Sequence, residues 1–304
     1  MVRSLGTVAL AAMSSGLLFI ALVQGGVAAP LFGYFVQLPL MVCGFALGLF
    51  SAGLASTGAA LMAWVYGGFA AAGIFLAIQV APTLFVVQRL SATASDAGAP
   101  GDYPTGRILA ETLAAVAVVT IVAVLWVDLA SDGIEAVVAE FAGSLAEALG
   151  GSQAVAPLHA LAVRWAHWLP AIVATSWAVM IIANALLGQA LAAKSGMARR
   201  AFSPMSTLEL PGWCLPALVA VFLPTFWAGG LLQYLSAIVF LLLSVAYIGL
   251  GLGVIHALVR KRTSSSMPIF AFYALFVIFS WPLALIVVVL GVVDDLIGLR
   301  RRLA

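Results

Sequence analysis

The sequence predicts an all-α, polytopic transmembrane helix bundle of eight or nine spans with one amphipathic surface helix. Three observations carry that expectation. Of 304 residues, 64% are hydrophobic and 8% charged, against about a quarter charged in an ordinary soluble domain, so no water-facing shell can be built. Apolar stretches near the roughly 20 residues that a spanning helix needs recur from one end of the chain to the other. These runs are long and continuous, whereas a transmembrane barrel needs alternating segments of about 10 residues. Helices satisfy their own backbone groups in lipid, where water cannot.

The first element is an apolar run over residues 6–24 behind Arg3. A signal peptide would be cut after Ala28 and Ala29, with Pro30 directly behind the cut, so the run is read as a retained helix. Ala12 and Gly16 form a small-xxx-small pair suited to close helix approach, with ordinary packing as its plainer use. Residues 30–90 hold one charge, Arg89. That length fits three crossings, broken near residues 51–53 and at Gly67 and Gly68. Residues 1–90 thus form an N-terminal four-span part.

Residues 91–107, rich in Gly, Pro, Ser and Asp, read as a polar cytoplasmic loop. In residues 108–191, two spans flank an acidic helix. The first covers 109–127; Asp128, Asp132, Glu135, Glu140 and Glu147 then follow with no basic residue before Arg164. Within 132–149, Ile134, Val137, Val138, Phe141, Leu145 and Leu149 fall on one helical face. Asp132 with Glu135 resembles a capping box, and Gly150 with Gly151 supplies the stop. Such a helix lies on the membrane surface, as packing or anchor or as a gating lid. The next span falls within 158–191, with Trp165 and Trp168 suited to the interfacial belt.

Residues 192–210, with Lys194, Arg199 and Arg200, read as a second cytoplasmic loop. Residues 211–304 hold spans at 213–227 and 231–258, then Arg260, Lys261 and Arg262. A last apolar stretch at 267–293 is interrupted at Trp281 and Pro282, and Asp294, Asp295, Arg300, Arg301 and Arg302 follow. The positive-inside rule places the basic loops in the cytoplasm and the acidic helix outside. One crossing by the last stretch leaves the arginine triplet outside. Two would need halves of about 13 residues, near 20 Å and short of a core about 30 Å thick. The count is therefore eight if the stretch is re-entrant and nine if it crosses.

Leu38-Pro39-Leu40 leading to Gly44 and Gly48, the loop Tyr103-Pro104-Thr105-Gly106-Arg107, the Leu208 to Trp213 segment LELPGW and the terminal GVVDDLIGLRRR from Gly291 carry a resemblance. Over most of its length the chain resembles the bacterial YybS-like predicted membrane proteins, a domain-of-unknown-function family. The resemblance implies distant similarity to the substrate-binding components of energy-coupling-factor vitamin transporters, and with it a helical fold for the first six or so segments. It brings no substrate and no catalytic residues.

Ionisable residues at membrane depth are costly and mark function, but few occur here. Arg164 and His167 share a helical face and suit snorkelling or pairing with Glu140 or Glu147. His159, His167 and His256 are too scattered for a metal site. Asp294 and Asp295 suit balancing the arginine triplet rather than binding a cation. Cys43 and Cys214 lie in apolar runs as small hydrophobes. Neutral polar and aromatic groups are more suggestive, and Gln37, Gln79, Trp177 and Asn184 are the candidate ligand-binding residues of an apolar pocket.

No phosphate-binding loop, G-x-S-x-G or H-E-x-x-H motif occurs. No catalytic residue, metal or cofactor is expected, and no acid, base and nucleophile set supports an enzyme. The formal net charge of +2 gives no case for nucleic acid. The expected location is the bacterial cytoplasmic (inner) membrane, and the expected partners are the lipid bilayer and separate energising or assembly subunits. The leading functional expectation is a transport-related component that binds a small solute or lipid between its helices. The alternative is an inner-membrane scaffold or assembly factor without a ligand.

Overall fold

A computed structural model describes residues 2–95, 105–150, 165–198, 207–262, 265 and 267–303. Every regular element among them is helical. Most of residues 91–107, His159, Arg164, Arg199 and Arg200 lie outside the described residues, as do the side chains of Leu145, Glu147 and Leu149. The chain forms two compact units: residues 1–108 with 179–203, and residues 109–178 with 204–304.

The first unit begins with α1 (Val2–Gln24), α2 (Ala29–Phe35) and α3 (Leu38–Leu47). α2 and α3 together make one apolar window, Ala29–Leu47, interrupted at Val36 and Gln37. Pro39 follows that break and has no N–H to bond a carbonyl one turn back. α4 (Leu49–Phe75) starts directly after Gly48, whose φ of 95° only glycine adopts freely. The break expected near residues 51–53 therefore lies at Gly48 instead, and Gly53 is an ordinary helical residue.

Within α4, Gly67 and Gly68 leave helical geometry, with φ of −131° and 70°. The chain folds back there. A methyl group on Gly44 would touch both Val87 and Ala52, which a straight helix would hold about 50 Å apart. The apolar window Leu49–Leu90 is thus two antiparallel arms, as the paired glycines predict. The returning arm contains a π-turn (Leu76–Val80) and α5 (Ala81–Ser95).

α1 packs against the first arm through small residues. A carbon on Gly58 would lie 3.0 Å from the Ala12 methyl, and one on Gly16 would lie 2.7 Å from the Met62 sulfur. Ala12 and Gly16 therefore serve packing within this unit. Ala55, Ala59 and Ala63 form a fully buried stripe, and Phe19 meets Phe75 edge-on with ring centres 5.0 Å apart.

The second unit holds nearly all of α6 (Thr105–Ala130), then α7 (Ile134–Gly150). Gly133 turns the chain with φ of 100°, and the Asp128 carboxylate accepts the Ile134 N–H at 2.9 Å. Asp128 supplies this cap, not the expected Asp132, because the reversal at Gly133 brings the end of α6 beside the start of α7. Asp128→Ala should cost about 1 kcal/mol and Asp132→Ala much less; equal losses in thermal unfolding would refute the assignment. Ile134, Val138 and Ala142 are buried on α7, whereas Val137, Phe141 and Glu140 are exposed. The helix is amphipathic as expected, with a narrower buried stripe.

After a short turn at Ala166–Trp168, α8 (Leu169–Lys194) runs from the second unit into the first. α9 (Cys214–Trp227) has 14 residues, about 21 Å and shorter than the span expected there. It forms a hairpin with α10 (Gly230–Arg262), turning at Gly230 with φ of 62°. α11 (Met267–Ile278) has 12 residues and α12 (Ser280–Ile297) has 18. The last apolar stretch is therefore not two halves of equal length. The break falls before Trp281, because Pro282 is accommodated in the first turn of α12. Among the described residues, seven windows are long and apolar enough to cross a membrane, and α12 is one of them.

α10 and α12 run antiparallel and touch through their backbones. A carbon on Gly251 would lie 2.1 Å from the Val287 carbonyl oxygen, and one on Gly291 would lie 2.1 Å from that of Tyr247. The Tyr247 hydroxyl donates to Asp295 at 3.0 Å. Gly298, with φ of 63°, ends α12 and admits α13 (Leu299–Leu303). Asp294 accepts the Arg300 backbone N–H at 2.8 Å and its Nε at 2.7 Å. Arg300 Nη2 also donates to the Leu208 carbonyl at 2.6 Å, joining the LELPGW segment to the terminal motif.

Candidate functional site

The first unit is apolar, so each enclosed polar group within it needs a structural reason. Three amide side chains stand out. Gln37 is 0% exposed, Gln79 4% and Asn184 2%.

Gln37 occupies the break between α2 and α3. Its Nε2 donates to the Ile78 carbonyl in the π-turn at 3.2 Å. Local chemistry accounts for that partner. Pro82 follows Ile78 by four residues and has no N–H to offer its carbonyl, while the proline ring crowds the same group. The helix widens here, with the Ala81 N–H bonding back to the Leu76 carbonyl, and Thr83 donates to the Gln79 carbonyl at 2.7 Å. Such π-turns recur at functional sites.

The break at Val36 and Gln37 is held from two other helices. Ser15 of α1 donates to the Val36 carbonyl at 2.7 Å. Asn184 of α8 donates to the Tyr34 carbonyl at 2.6 Å and to that of Met180 at 2.8 Å. The interruption at 36–37 and the π-turn at 76–80 are thus stitched together by side chains from within one unit. Irregular backbone at membrane depth persists only where protein surrounds it or where it lines a cavity.

The amides are not fully used by this network. Gln37 Oε1, Gln79 Oε1 and Asn184 Oδ1 are buried with no hydrogen-bond partner among the described residues; Ser56 Oγ in the same unit shares that condition. The orientation of Gln37 and Asn184 is fixed, because only an amide nitrogen can bond a carbonyl. Their oxygens therefore face elsewhere as acceptors. Buried polar atoms are rarely left so, and each calls for a partner.

Trp177 is half-buried and belongs to the second unit, whereas the three amides belong to the first. His167 stacks obliquely on Trp168 with ring centres 5.3 Å apart, and His256 Nδ1 sits 2.8 Å from the Leu252 carbonyl. No group of three metal-binding side chains occurs among the described residues. Cys43 and Cys214 are buried free thiols. The roles of Ser15, Ile78 and Pro82 were not singled out in the sequence, although the spacing from Ile78 to Pro82 contains the signal.

A family profile described as a predicted membrane protein, DUF2232, matches residues 15–295. The chain belongs to that family. No curated protein and no solved structure matches it. The DUF2232 match takes in all three amides as well as Asp294 and Asp295, and it draws on both units.

Proposed function

We propose that this DUF2232 chain is a transport-related membrane component that binds a small solute between the helices of its first unit. The observation that carries the reading is the set of three enclosed amide oxygens at the meeting of two interrupted helices. Broken helices whose irregular backbone and polar side chains converge at membrane depth are how many transporters build a solute site. The resemblance to YybS-like proteins, and through them to energy-coupling-factor binding components, supports the same reading. Without a nucleotide-binding motif in its sequence, the chain takes its energy from separate subunits. Its setting is the bacterial cytoplasmic membrane, with the basic loops inside.

Mild detergent extraction followed by identification of retained chains tests the assembly. An ATP-hydrolysing subunit is the expected companion; a chain that purifies alone and responds to no solute in thermal unfolding would refute the reading. Two substitutions separate binding from folding. Gln37→Leu removes a buried hydrogen bond and should cost about 1 kcal/mol. Gln79→Leu removes an oxygen that bonds nothing described, so stability should hold or rise while solute binding falls. A Gln79→Leu protein that loses as much stability as Gln37→Leu would show that the oxygen serves folding.

A further inference from the structure

We infer that the solute taken by this site is electrically neutral and presents at least two hydrogen-bond donors, as an amide, a urea, a polyol or an N–H heterocycle does. The inference rests on the solute-binding reading and deepens it. Its argument comes from which atoms of the site are already engaged and from what charge surrounds them.

The engaged atoms are donors. Asn184 commits both amide hydrogens, one to Tyr34 and one to Met180, and Gln37 commits one to Ile78. What remains toward an occupant is the oxygens of Gln37 and Asn184, fixed as acceptors by the bonds of their amide nitrogens, and the Gln79 amide, whose oxygen is likewise unbonded. An anion such as a carboxylate or phosphate would meet oxygen lone pairs there, so it is repelled.

The surrounding charge disfavours a cation. Among the described residues, the first unit contains no Asp or Glu, while Arg3, Arg89, Arg107 and Lys194 are cationic. An ammonium group in this apolar surround would have no countercharge, and an unpaired buried ion carries a desolvation cost that dipoles alone offset poorly. A divalent metal is disfavoured further, since such ions draw on carboxylates. A neutral donor incurs neither penalty and satisfies the acceptors that folding leaves unbonded. Three acceptors from separate helices also favour a solute with more than one donor.

The test uses purified full-length protein in detergent and three probes of one size: benzamide, benzoate and benzylammonium, with urea, nicotinamide and glycerol widening the neutral set. Thermal unfolding is followed over a concentration series. Neutral donors should stabilise the protein, and benzoate and benzylammonium should not. Gln79→Leu should weaken the neutral interaction about tenfold, the worth of one well-placed hydrogen bond in a buried site. Gln79→Glu supplies the missing countercharge and should turn the preference toward benzylammonium. If benzoate or unmodified-site benzylammonium binds better than every neutral probe, and Gln79→Leu abolishes that binding, the charge class is wrong and the solute-binding reading stands. If no probe of any class alters unfolding, both fail.

Discussion

Gly291→Ala should lower the stability of the protein by about 3 kcal/mol or more, a large loss for the addition of one methyl group. The new carbon would lie 2.1 Å from the Tyr247 carbonyl oxygen and 3.0 Å from the Gly251 nitrogen. Both neighbours are backbone atoms of α10 and cannot rotate aside. Relief requires the two helices to part, and parting breaks the reciprocal contact at Gly251 with Val287 as well as the Tyr247 to Asp295 hydrogen bond. Lipid drives helix pairs together only weakly, so close backbone packing carries much of such an interface. Gly73→Ala is the control. Nothing lies within 4 Å of a methyl group there, and exchanging a helical glycine for alanine should leave stability unchanged or raise it by up to about 1 kcal/mol. Thermal unfolding in detergent compares them, and equal shifts would refute the close approach of α10 and α12.

The broad architecture was legible because lipid leaves so few solutions. Long apolar runs without charges become helices, and paired glycines such as Gly67 and Gly68 mark a reversal that no other residue type makes easily. Single glycines were harder. Gly48 ends a helix and Gly53 sits inside one, and nothing in composition distinguishes them; the difference is a backbone angle imposed by how α3 and α4 pack. The last apolar stretch misled for a related reason. A proline within an apolar run reads as a break at its own position, yet Pro282 sits in the first turn of α12, where its missing N–H has no partner to lose. The break consequently falls at Ser280, whose φ is 20°, and α12 gains the length of a candidate span.

The candidate site was legible as residue types and illegible as a network. Neutral amides in apolar runs are conspicuous, so Gln37, Gln79 and Asn184 could be named without coordinates. The partners of Gln37 and Asn184 are backbone carbonyls, which every residue has. Sequence alone offers no means to choose Tyr34 as the acceptor for Asn184, 150 positions away. Trp177 was named as an aromatic group suited to lining a pocket, and it belongs to the part of α8 that lies in the second unit. The terminal motifs show the reverse case. LELPGW and GVVDDLIGLRRR looked like separate fragments of a resemblance, and Arg300 joins them through the Leu208 carbonyl.

That junction gives the second large prediction. Asp294 is 3% exposed at its side chain and Arg300 13%, with 2.7 Å between Oδ2 and Nε. Removing one member of a buried pair leaves the other charged and unsolvated, which costs about 3–5 kcal/mol. Asp294→Ala should approach that range, because it also removes the acceptor for the Arg300 backbone N–H that starts α13. Arg300→Ala should cost somewhat less, since the arginine end of the pair retains more contact with solvent. Asp294→Leu combined with Arg300→Leu should recover much of either loss, because a well-packed apolar pair replaces a buried ion pair at little net cost. The neighbouring pair provides the contrast: Arg301 and Glu209 lie 3.0 Å apart but are 81% and 67% exposed, and Arg301→Ala should change stability by less than about 1 kcal/mol. A double-mutant cycle in thermal unfolding measures the coupling directly. If Asp294→Ala and Arg301→Ala prove equally mild, the junction is held by apolar packing around Leu208 and Tyr247, and the ion pair merely accompanies it.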